Sequence, residues 1–402
     1  MKKGIVFLMA SALLITVSCK KRGCTDPLAN NYSSEAEKDN GSCDFSAIKI
    51  VNDITTNTTW TANKSYLIEN TISVSNNATL TIEPGTIIRF GEGAEIDVSY
   101  SGDFGTIKAI GTNEKPIIFT SNATVKGKGD WDGIWLYEGA NACEFTHCVF
   151  DYSGGYSNSG ALTIRSATGV SVNNCIFKNS KYYGVEVDNY GSLNTFTNND
   201  FINNDANDIK LIAHHVSSLG TGNTYTGNIE VQGGYIKKAG EERWLNQNTA
   251  FIIDGEISVG SETGTKWIID PGCVLKFGSS DEVSIGYSEV GLIEAIGTVD
   301  LPITFTSRSN FPSKGDWDGI WFYSNSANGS VFDHCIVSYG GGYSASGNIV
   351  FKYEQGSDVT IKNSYISHSE GYGLDMYSAG DTAYPTLIGN TFSDNELGDK
   401  SW

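Results

Sequence analysis

Apolar and polar residues alternate in short stretches that recur along most of the chain. The clearest stretches are residues 133–137, 161–165 and 184–188. In the first of them, Ile134 and Leu136 share one face. The opposite face carries Trp135 and Tyr137. Because side chains alternate between the two faces of a β-strand, this pattern predicts strands with one apolar face turned toward a core.

The spacing of these stretches predicts a solenoid. Ile134 and Leu162 are 28 residues apart, and Leu162 and Val185 are 23 residues apart. Such periods fit one coil of a parallel β-helix, in which strands stack about 4.8 Å apart. We expect about 12 to 15 coils and a length of about 60 to 70 Å. Asparagine tolerates the left-handed conformation of sharp corners and can form amide ladders between coils. It recurs between the stretches at Asn173, Asn174, Asn198, Asn199, Asn203, Asn204, Asn363 and Asn390.

A second regularity is an internal repeat with a shift of about 186 residues. The octapeptide KGDWDGIW at residues 128–135 recurs unchanged at residues 314–321, and shorter matches surround it. The repeat predicts a tandem duplication, with a first copy at 48–228 and a second at 229–402 in one continuous solenoid. The pair His214-His215 has no counterpart in the second copy.

Residues 1–18 have the features of a signal peptide. Two lysines precede an apolar run at residues 4–17, which is shorter than the ~20 residues of a transmembrane helix. The stretch ITVSC at residues 15–19 resembles the lipobox of bacterial lipoproteins. The resemblance implies cleavage before Cys19 and lipidation of its thiol. We therefore expect a membrane anchor, and a location at the outer membrane or cell surface of a Gram-negative bacterium.

Residues 19–47 are predicted to form a linker closed by a disulfide. In an exported protein, Cys24 and Cys43 around a polar loop are most simply a disulfide pair. The stretch resembles a short module, CTDP...A.NY...A...D.GSC, that recurs in exported proteins of Bacteroidetes. Asp26 and Asp39 are candidate Ca²⁺ ligands, because Ca²⁺ prefers several oxygen ligands. A solvated loop without metal is the favoured alternative, and no other cofactor is expected.

The composition narrows the classes of partner and enzyme. A net charge of −19 over 402 residues argues against nucleic-acid binding, which requires basic surfaces. The 46 glycines, 7 prolines and lack of long helical periodicity indicate an all-β protein. The sequence carries no phosphate-binding glycine loop and no nucleophile elbow. Five further cysteines are expected to pack as small hydrophobes. They are Cys143, Cys148, Cys175, Cys273 and Cys335.

Longer motifs indicate the type of solenoid. VNNCIFKNSKYYGVEV at residues 172–187 and IKNSYISHSEGYGLDM at 361–376 closely resemble right-handed parallel β-helix repeats of the pectin-lyase-like superfamily. Together with IEPGTIIRF at 82–90 and GDWDGIW at 129–135, they resemble the β-helix surface lipoproteins of Bacteroidetes. The resemblance covers nearly all of residues 48–396. It implies an all-β, single-stranded right-handed parallel β-helix.

The superfamily contains enzymes and non-enzymes, so the fold leaves catalysis open. In its pectate-lyase-like enzymes, carboxylates on the outer face of one sheet hold Ca²⁺, and an arginine or lysine removes a proton. Arg165, Glu186 and Asp188 would fill those roles here, which gives a polysaccharide lyase or hydrolase as the alternative function. The second copy has Tyr377 in place of Asp188. A solvated charged face is therefore the favoured explanation of these residues.

Four aromatic residues are the candidate ligand-binding residues. Trp135 and Tyr137, with their copies Trp321 and Tyr323, fall on the predicted outer face. Aromatic rings stack on the apolar faces of sugars, and Tyr and Trp suit partly wet contacts. The alternative is that loops such as residues 152–156 fold over these rings and pack against them. We expect a monomeric envelope scaffold that binds a polysaccharide or a surface protein without catalysis.

Overall fold

The computed structural model describes residues 20–25, 29, 31–43, 46–62, 64–324, 326, 329–352, 358–377 and 384–402. The chain divides into two units, with the boundary between Ala47 and Ile48. In the part of the chain that is described, no helix has the length and apolar character needed to cross a membrane.

The first unit is small and is closed by a disulfide. Its two short strands, Arg22–Gly23 and Lys38–Asp39, pair in parallel. Cys24 and Cys43 form a disulfide, which confirms the predicted pairing.

The second unit is a parallel β-solenoid of right-handed type with about 13 turns. Strands make up 47% of the described residues and helices 2%. Two short 3₁₀ helices, Tyr100–Gly102 and Ala213–Ser218, interrupt the strands. The all-β parallel β-helix predicted from the sequence is confirmed, and at about 4.8 Å per turn the solenoid is roughly 60 Å long.

The first part of the solenoid stacks its strands in three ladders. The ladder that carries Trp135, called the Trp135 ladder, begins with Ile72–Val74, Glu95–Val98, Gly133–Leu136, Gly160–Ile164, Tyr183–Val187 and Ile209–Ile212. The second ladder contains Thr58–Trp60, Ala78–Ile82, Gly105–Ile110, Glu144–Thr146, Val170–Asn173 and Leu193–Thr197. The third contains Ile48–Ile50, Ser65–Ile68, Ile87–Phe90, Ile117–Ser121, Cys148–Asp151, Ile176–Lys178 and Asp200–Ile202.

The second part continues this stacking. The Trp135 ladder continues through Val274–Phe277, Ile303–Ser307, Cys335–Ser338, Tyr365–Ser367 and Thr391–Ser393. The ladder that carries Trp321, called the Trp321 ladder, contains Glu282–Ile285, Gly319–Phe322, Gly347–Phe351, Tyr372–Asp375 and Gly398–Lys400. The remaining ladder contains Gly240–Trp244, Thr265–Ile269, Gly291–Ile296, Ser330–Asp333, Val359–Lys362 and Thr386–Ile388.

Two long strands, Ile229–Ile236 and Phe251–Val259, join the two parts. The N-terminal portion of the first pairs with Ile209–Ile212 and so extends the Trp135 ladder. Beyond a register shift between Gln232 and Gly234, its C-terminal portion begins the Trp321 ladder. We call this region the ladder switch. As a result of the ladder switch, the first octapeptide leads into the Trp135 ladder and the second leads into the Trp321 ladder. The sequence pattern did not predict this difference.

The register of the Trp135 ladder agrees with the sequence pattern. Ile134 pairs with Leu162, and Leu162 pairs with Val185. The strands Gly160–Ile164 and Tyr183–Val187 begin one residue earlier than predicted. The inward residues of successive coils therefore stack on one another and form a single long core.

Aromatic stacks fill part of this core. Phe119, Phe150, Phe177 and Phe201 lie on successive coils, with ring centroids 4.7 to 5.2 Å apart. Trp131, from the first octapeptide, is fully buried and stacks on a phenylalanine of the preceding coil. Such rings bury large apolar areas and favour offset stacking, so each coil stabilises its neighbours.

The asparagines occupy the corners, as predicted. Asn174, Asn198 and Asn203 all have φ between 54° and 57°, in the left-handed region. Asn199 is fully buried, and its Nδ2 donates to Asn223 Oδ1 on the next coil at 3.2 Å. The Asn203 Nδ2 likewise donates to Asn179 Oδ1 at 2.8 Å. These bonds form the amide ladder that the sequence predicts.

The five cysteines of the solenoid are buried and form no disulfide. Val149 and Ile176 pair in register, so the cysteines that precede them lie at equivalent positions on adjacent coils. Burial raises the pKa of Cys143 to about 11 and that of Cys273 to about 12. A thiol in such a setting is a weak nucleophile, and the predicted packing role is confirmed.

Candidate functional site

The strand Gly133–Leu136 turns Ile134 and Leu136 into the core and Trp135 outward. Trp135 is nevertheless only 4% exposed. Its ring lies parallel to that of Tyr137, with centroids 6.3 Å apart, and its Nε1 has no hydrogen-bond partner among the described residues. The predicted direction of this side chain is correct, but the ring is covered.

The second copy has the same arrangement. Trp321 is 1% exposed and Tyr323 is 9% exposed, and their ring centroids are 6.2 Å apart. Trp321 Nε1 donates to the backbone oxygen of Asp318 at 3.0 Å. Both tryptophans thus lie outside the main core under a cover of other side chains.

Exposed tyrosines provide that cover in both copies. Tyr156 meets Trp135 edge-on, with ring centroids 5.5 Å apart, and Tyr100 meets Tyr137 edge-on at 5.1 Å. More than half of the surface of Tyr100 and Tyr156 is open to solvent. We call Trp135, Tyr137, Tyr100 and Tyr156 the first aromatic cluster. The loop 152–156 does fold over the tryptophan, as the packing alternative predicted.

The second aromatic cluster consists of Trp321, Tyr323, Tyr287 and Tyr343. Tyr343 meets Trp321 edge-on at 5.7 Å, and Tyr287 meets Tyr323 edge-on at 4.8 Å. Tyr287 and Tyr343 are also more than half exposed. Tyr100 and Tyr287 were missed at the sequence level. Their sequence signal is the internal repeat, since 287 − 100 = 187 is close to its shift of about 186 residues, but their place beside the aromatic clusters appears only once the register is known.

A basic side chain lies over each buried tryptophan. The Arg165 guanidinium lies 4.8 Å from the ring centroid of Trp135. Lys352 Nζ lies 4.6 Å from Trp321 and 4.8 Å from Tyr323, so its ammonium is held by two rings of the second cluster. Such cation–π contacts are worth roughly 0.5 to 2 kcal/mol each. They hold a positive charge at the rim of both clusters.

Carboxyl groups lie beside the first cluster on the preceding coil. Asp97 pairs in register with Trp135, is 6% exposed and has an Oδ1 without a partner among the described residues. Burial, together with the charge of Asp53, raises the pKa of Asp97 to about 6. Burial and the charges of Asp97 and Asp132 raise the pKa of Glu95 to about 7. Both groups can therefore hold a proton near neutral pH.

The second cluster differs at these positions. Ser284, not an aspartate, pairs in register with Trp321. Glu282 accepts hydrogen bonds from the Ser284 hydroxyl and, at 2.8 Å, from the Tyr323 hydroxyl. Burial raises the pKa of Glu282. The acid of the second cluster is thus hydrogen-bonded to the aromatic cluster itself.

The residues of the predicted lyase alternative all have other partners. Arg165 covers Trp135. Glu186 Oε1 lies 3.2 Å from Lys210 Nζ, and burial raises the pKa of Glu186. Asp188 Oδ1 accepts backbone N–H groups from Ser166, Tyr190 and Gly191 at 2.9 to 3.0 Å. Asp188 therefore holds a turn, and Glu186 is in an ion pair.

The proposed Ca²⁺ ligands are in the first unit. Asp26 lies outside the described residues. Asp39 Oδ1 accepts the backbone N–H of Gly41 at 3.0 Å and so stabilises a turn. Among the described residues, no group of three or more His, Cys, Asp or Glu side chains is placed to hold a metal ion.

The first aspartate of each octapeptide caps a corner. Asp130 Oδ2 accepts the Ser121 hydroxyl at 2.6 Å and the Gly127 N–H at 2.9 Å. Asp316 Oδ2 makes the equivalent bonds with a serine hydroxyl and a serine N–H. Much of the octapeptide identity thus serves folding: a capped corner, a core tryptophan and one outward tryptophan.

Comparison with known proteins agrees with this architecture. Residues 52–149 match the family model described as a pectate-lyase like beta helix domain, a stretch that includes the strand of Trp135. No curated protein and no solved structure matches the chain. Residues 52–149 thus resemble a pectate-lyase-like β-helix domain, and the parallel β-solenoid continues beyond them through the second octapeptide.

Proposed function

We propose that this chain is a lipid-anchored envelope scaffold that binds glycan without catalysis through its two aromatic clusters. The observation that carries the proposal is the pair of exposed tyrosines held edge-on against each outward Trp–Tyr pair. Tyrosine supplies a large, rigid and amphipathic surface, and the apolar faces of sugars stack on such rings. The tyrosines that cover the tryptophans, rather than the tryptophans, are the contact residues in this proposal.

The packing beneath these tyrosines supports a pre-organised site. A ring that is already held against a buried neighbour loses little conformational freedom when a ligand binds. Arg165 and Lys352 add a hydrogen-bond donor at the rim of each cluster. Because the clusters belong to different ladders, each would contact its own ligand.

A polysaccharide hydrolase is the second candidate, and Glu95 is the observation that favours it. A carboxyl group with a pKa of about 7 is suited to general acid catalysis at neutral pH. We prefer binding without catalysis over hydrolysis for two reasons. Asp97, the carboxyl group next to Glu95, is almost wholly buried. The side chains of Arg165, Glu186 and Asp188 already have structural partners.

The proposed location rests on the lipobox-like stretch that ends at Cys19. This cysteine lies outside the described residues. The acidic chain suits a partner in the envelope or outside the cell, such as a polysaccharide or a surface protein, and not a nucleic acid.

The test is a glycan array probed with the full chain in the presence of Ca²⁺, with release of products measured in parallel. We expect binding without products, with one bound ligand at each aromatic cluster. Tyr156→Ala should remove one of these sites and Tyr343→Ala the other. Tyr365→Ala removes an exposed tyrosine outside both clusters and is the matched control. Product release by the wild type that is lost in Glu95→Gln would instead establish the hydrolase.

A further inference from the structure

We propose that a groove at the ladder switch is a separate carbohydrate site, which holds a single sugar ring between Tyr190 and Tyr235. The groove has a volume of about 520 Å³. This value lies within the roughly 300 to 1,000 Å³ of typical ligand pockets. The side chains that line the groove include those of Tyr190, Ile212, His214, Gln232, Tyr235 and Lys237.

The groove exists because the strand Ile229–Ile236 changes ladders. Gly233 lines it, and a Cβ at this position would lie 2.4 Å from the backbone oxygen of Glu256. Gly234 has φ +126°, a conformation that L side chains rarely adopt. Two glycines in succession therefore allow the bend that places Tyr235 at the edge of the groove.

Both tyrosines are exposed and held on ordered backbone. Tyr190 is 72% exposed, and its backbone N–H donates to Asp188 Oδ1 at 3.0 Å. Tyr235 is 57% exposed and pairs in register with Ser258. A sugar ring that binds between the two tyrosines would contact an aromatic face. Little conformational entropy would be lost, because the backbone on both sides is already hydrogen-bonded.

The His214-His215 pair, which has no counterpart in the second copy, supports the third side of the groove. It belongs to the 3₁₀ helix Ala213–Ser218. His215 is 7% exposed and interacts with the backbone carbonyls of Asp188 and Asn189. This contact ties the 3₁₀ helix to the turn that carries Tyr190. His214 lines the groove itself.

The polar groups of the groove suit a sugar. Asn189 and Gln232 provide amide donors and acceptors for hydroxyl groups, and Lys237 provides an ammonium. None of the residues that line the groove carries a carboxylate, although the chain has a net charge of −19. The groove therefore accepts a neutral ring or a carboxylated one, and a carboxylate would gain from Lys237.

This site is independent of the two aromatic clusters, so its test uses different variants. The full chain is titrated by calorimetry with neutral oligosaccharides and with their C6-carboxylated counterparts. We expect binding that Tyr190→Ala and Tyr235→Ala each weaken at least tenfold, with Tyr156→Ala without effect at this site. Lys237→Met should weaken binding of the carboxylated series more than binding of the neutral series, because only the carboxylate gains from the ammonium.

Two results would overturn the proposal. One is the absence of binding to every member of both series. The other is binding that depends on Tyr156 or Tyr343 but not on Tyr190 or Tyr235, which would leave the aromatic clusters as the only sugar sites. Tyr365→Ala is again the control for loss of an exposed tyrosine, and circular dichroism shows whether each variant keeps its β-structure.

Discussion

At the scale of single residues, the two aromatic clusters share rings but differ in charge. Asp97 stands beside Trp135 where Ser284 stands beside Trp321. The Ser284 hydroxyl donates a hydrogen bond to Glu282. Asp97 instead adds a second, nearly buried carboxyl group to that of Glu95. A buried carboxyl group without a partner opposes ionisation, and Asp97 therefore makes the stability of the first cluster depend on pH.

Asp97→Asn should stabilise the protein at alkaline pH and not at acid pH. The pKa of Asp97 is raised from 3.8 to about 6, so the folded state binds a proton more tightly than the unfolded state. This contribution to stability is complete below about pH 4 and is lost as the pH rises through about 6. We expect a gain of about 1 to 2 kcal/mol at pH 8, since solvent near the site weakens the full effect of the shift.

Thermal unfolding of wild type and variant at pH 3.5 and pH 8 measures this. Glu92→Gln, which removes an exposed carboxylate from the adjoining turn, is the control. An equal change in stability at both pH values would mean that folding does not raise the pKa of Asp97.

At the scale of elements, the ladder switch is the feature that organises the solenoid. The long strand Ile229–Ile236 belongs to the Trp135 ladder at its start and to the Trp321 ladder at its end. Each coil repeats the arrangement of the coil before it, so a register shift inside one strand is carried into the later coils. The two glycines at this bend allow a close backbone approach at Gly233 and a positive φ at Gly234.

Gly233→Ala should destabilise the solenoid by about 1 to 3 kcal/mol, because the added Cβ would lie 2.4 Å from a backbone atom that has little room to move. Urea unfolding followed by circular dichroism measures the loss. Gly127→Ala is the comparison, since a Cβ there meets only a side-chain oxygen of Asp130 at 3.3 Å. If the two variants lose the same stability, the bend at Gly233 is not a tight contact in solution.

At the scale of the whole molecule, a solenoid spreads its functional surfaces instead of collecting them in one pocket. Each coil contacts mainly its neighbours, so sites on different coils fold and bind nearly independently. The two aromatic clusters and the groove at the ladder switch lie on separate coils. If all three bind sugar as proposed, they would offer separate contact points, and linked contacts to one polymer raise its overall affinity.

Cys19→Ala should move the mature protein from the membrane fraction to the soluble fraction, because the lipid on this thiol is the proposed anchor. Acyl chains contribute roughly 0.8 kcal/mol for each buried CH₂, so the anchored form should resist extraction with salt. Fractionation and immunoblotting of both forms measure this. Cys273→Ala, which changes a buried cysteine, is the matched control. Membrane retention of the Cys19 variant would show that another element attaches the protein.

Much of the fold could be predicted because local rules determine it. Alternation identified which side of Ile134 and Leu162 faces the core, and coil spacing identified their partners. Asparagine at corners and two cysteines around a polar loop have direct local causes as well. The candidate site was predicted only in part: the outward direction of Trp135 and Trp321 followed from alternation, but their cover did not.

The sequence by itself therefore determined the architecture of this protein: parallel coils, their period, their corners and the disulfide at Cys24. Only the tertiary structure decided what lies on the surface. Tyr100 reaches the first cluster from the preceding coil, and the bend at Gly233 places the second cluster on another ladder. Inward packing is repeated on every coil and so leaves a periodic signal. Outward cover depends on single loops of neighbouring coils, and such contacts do not recur from one coil to the next.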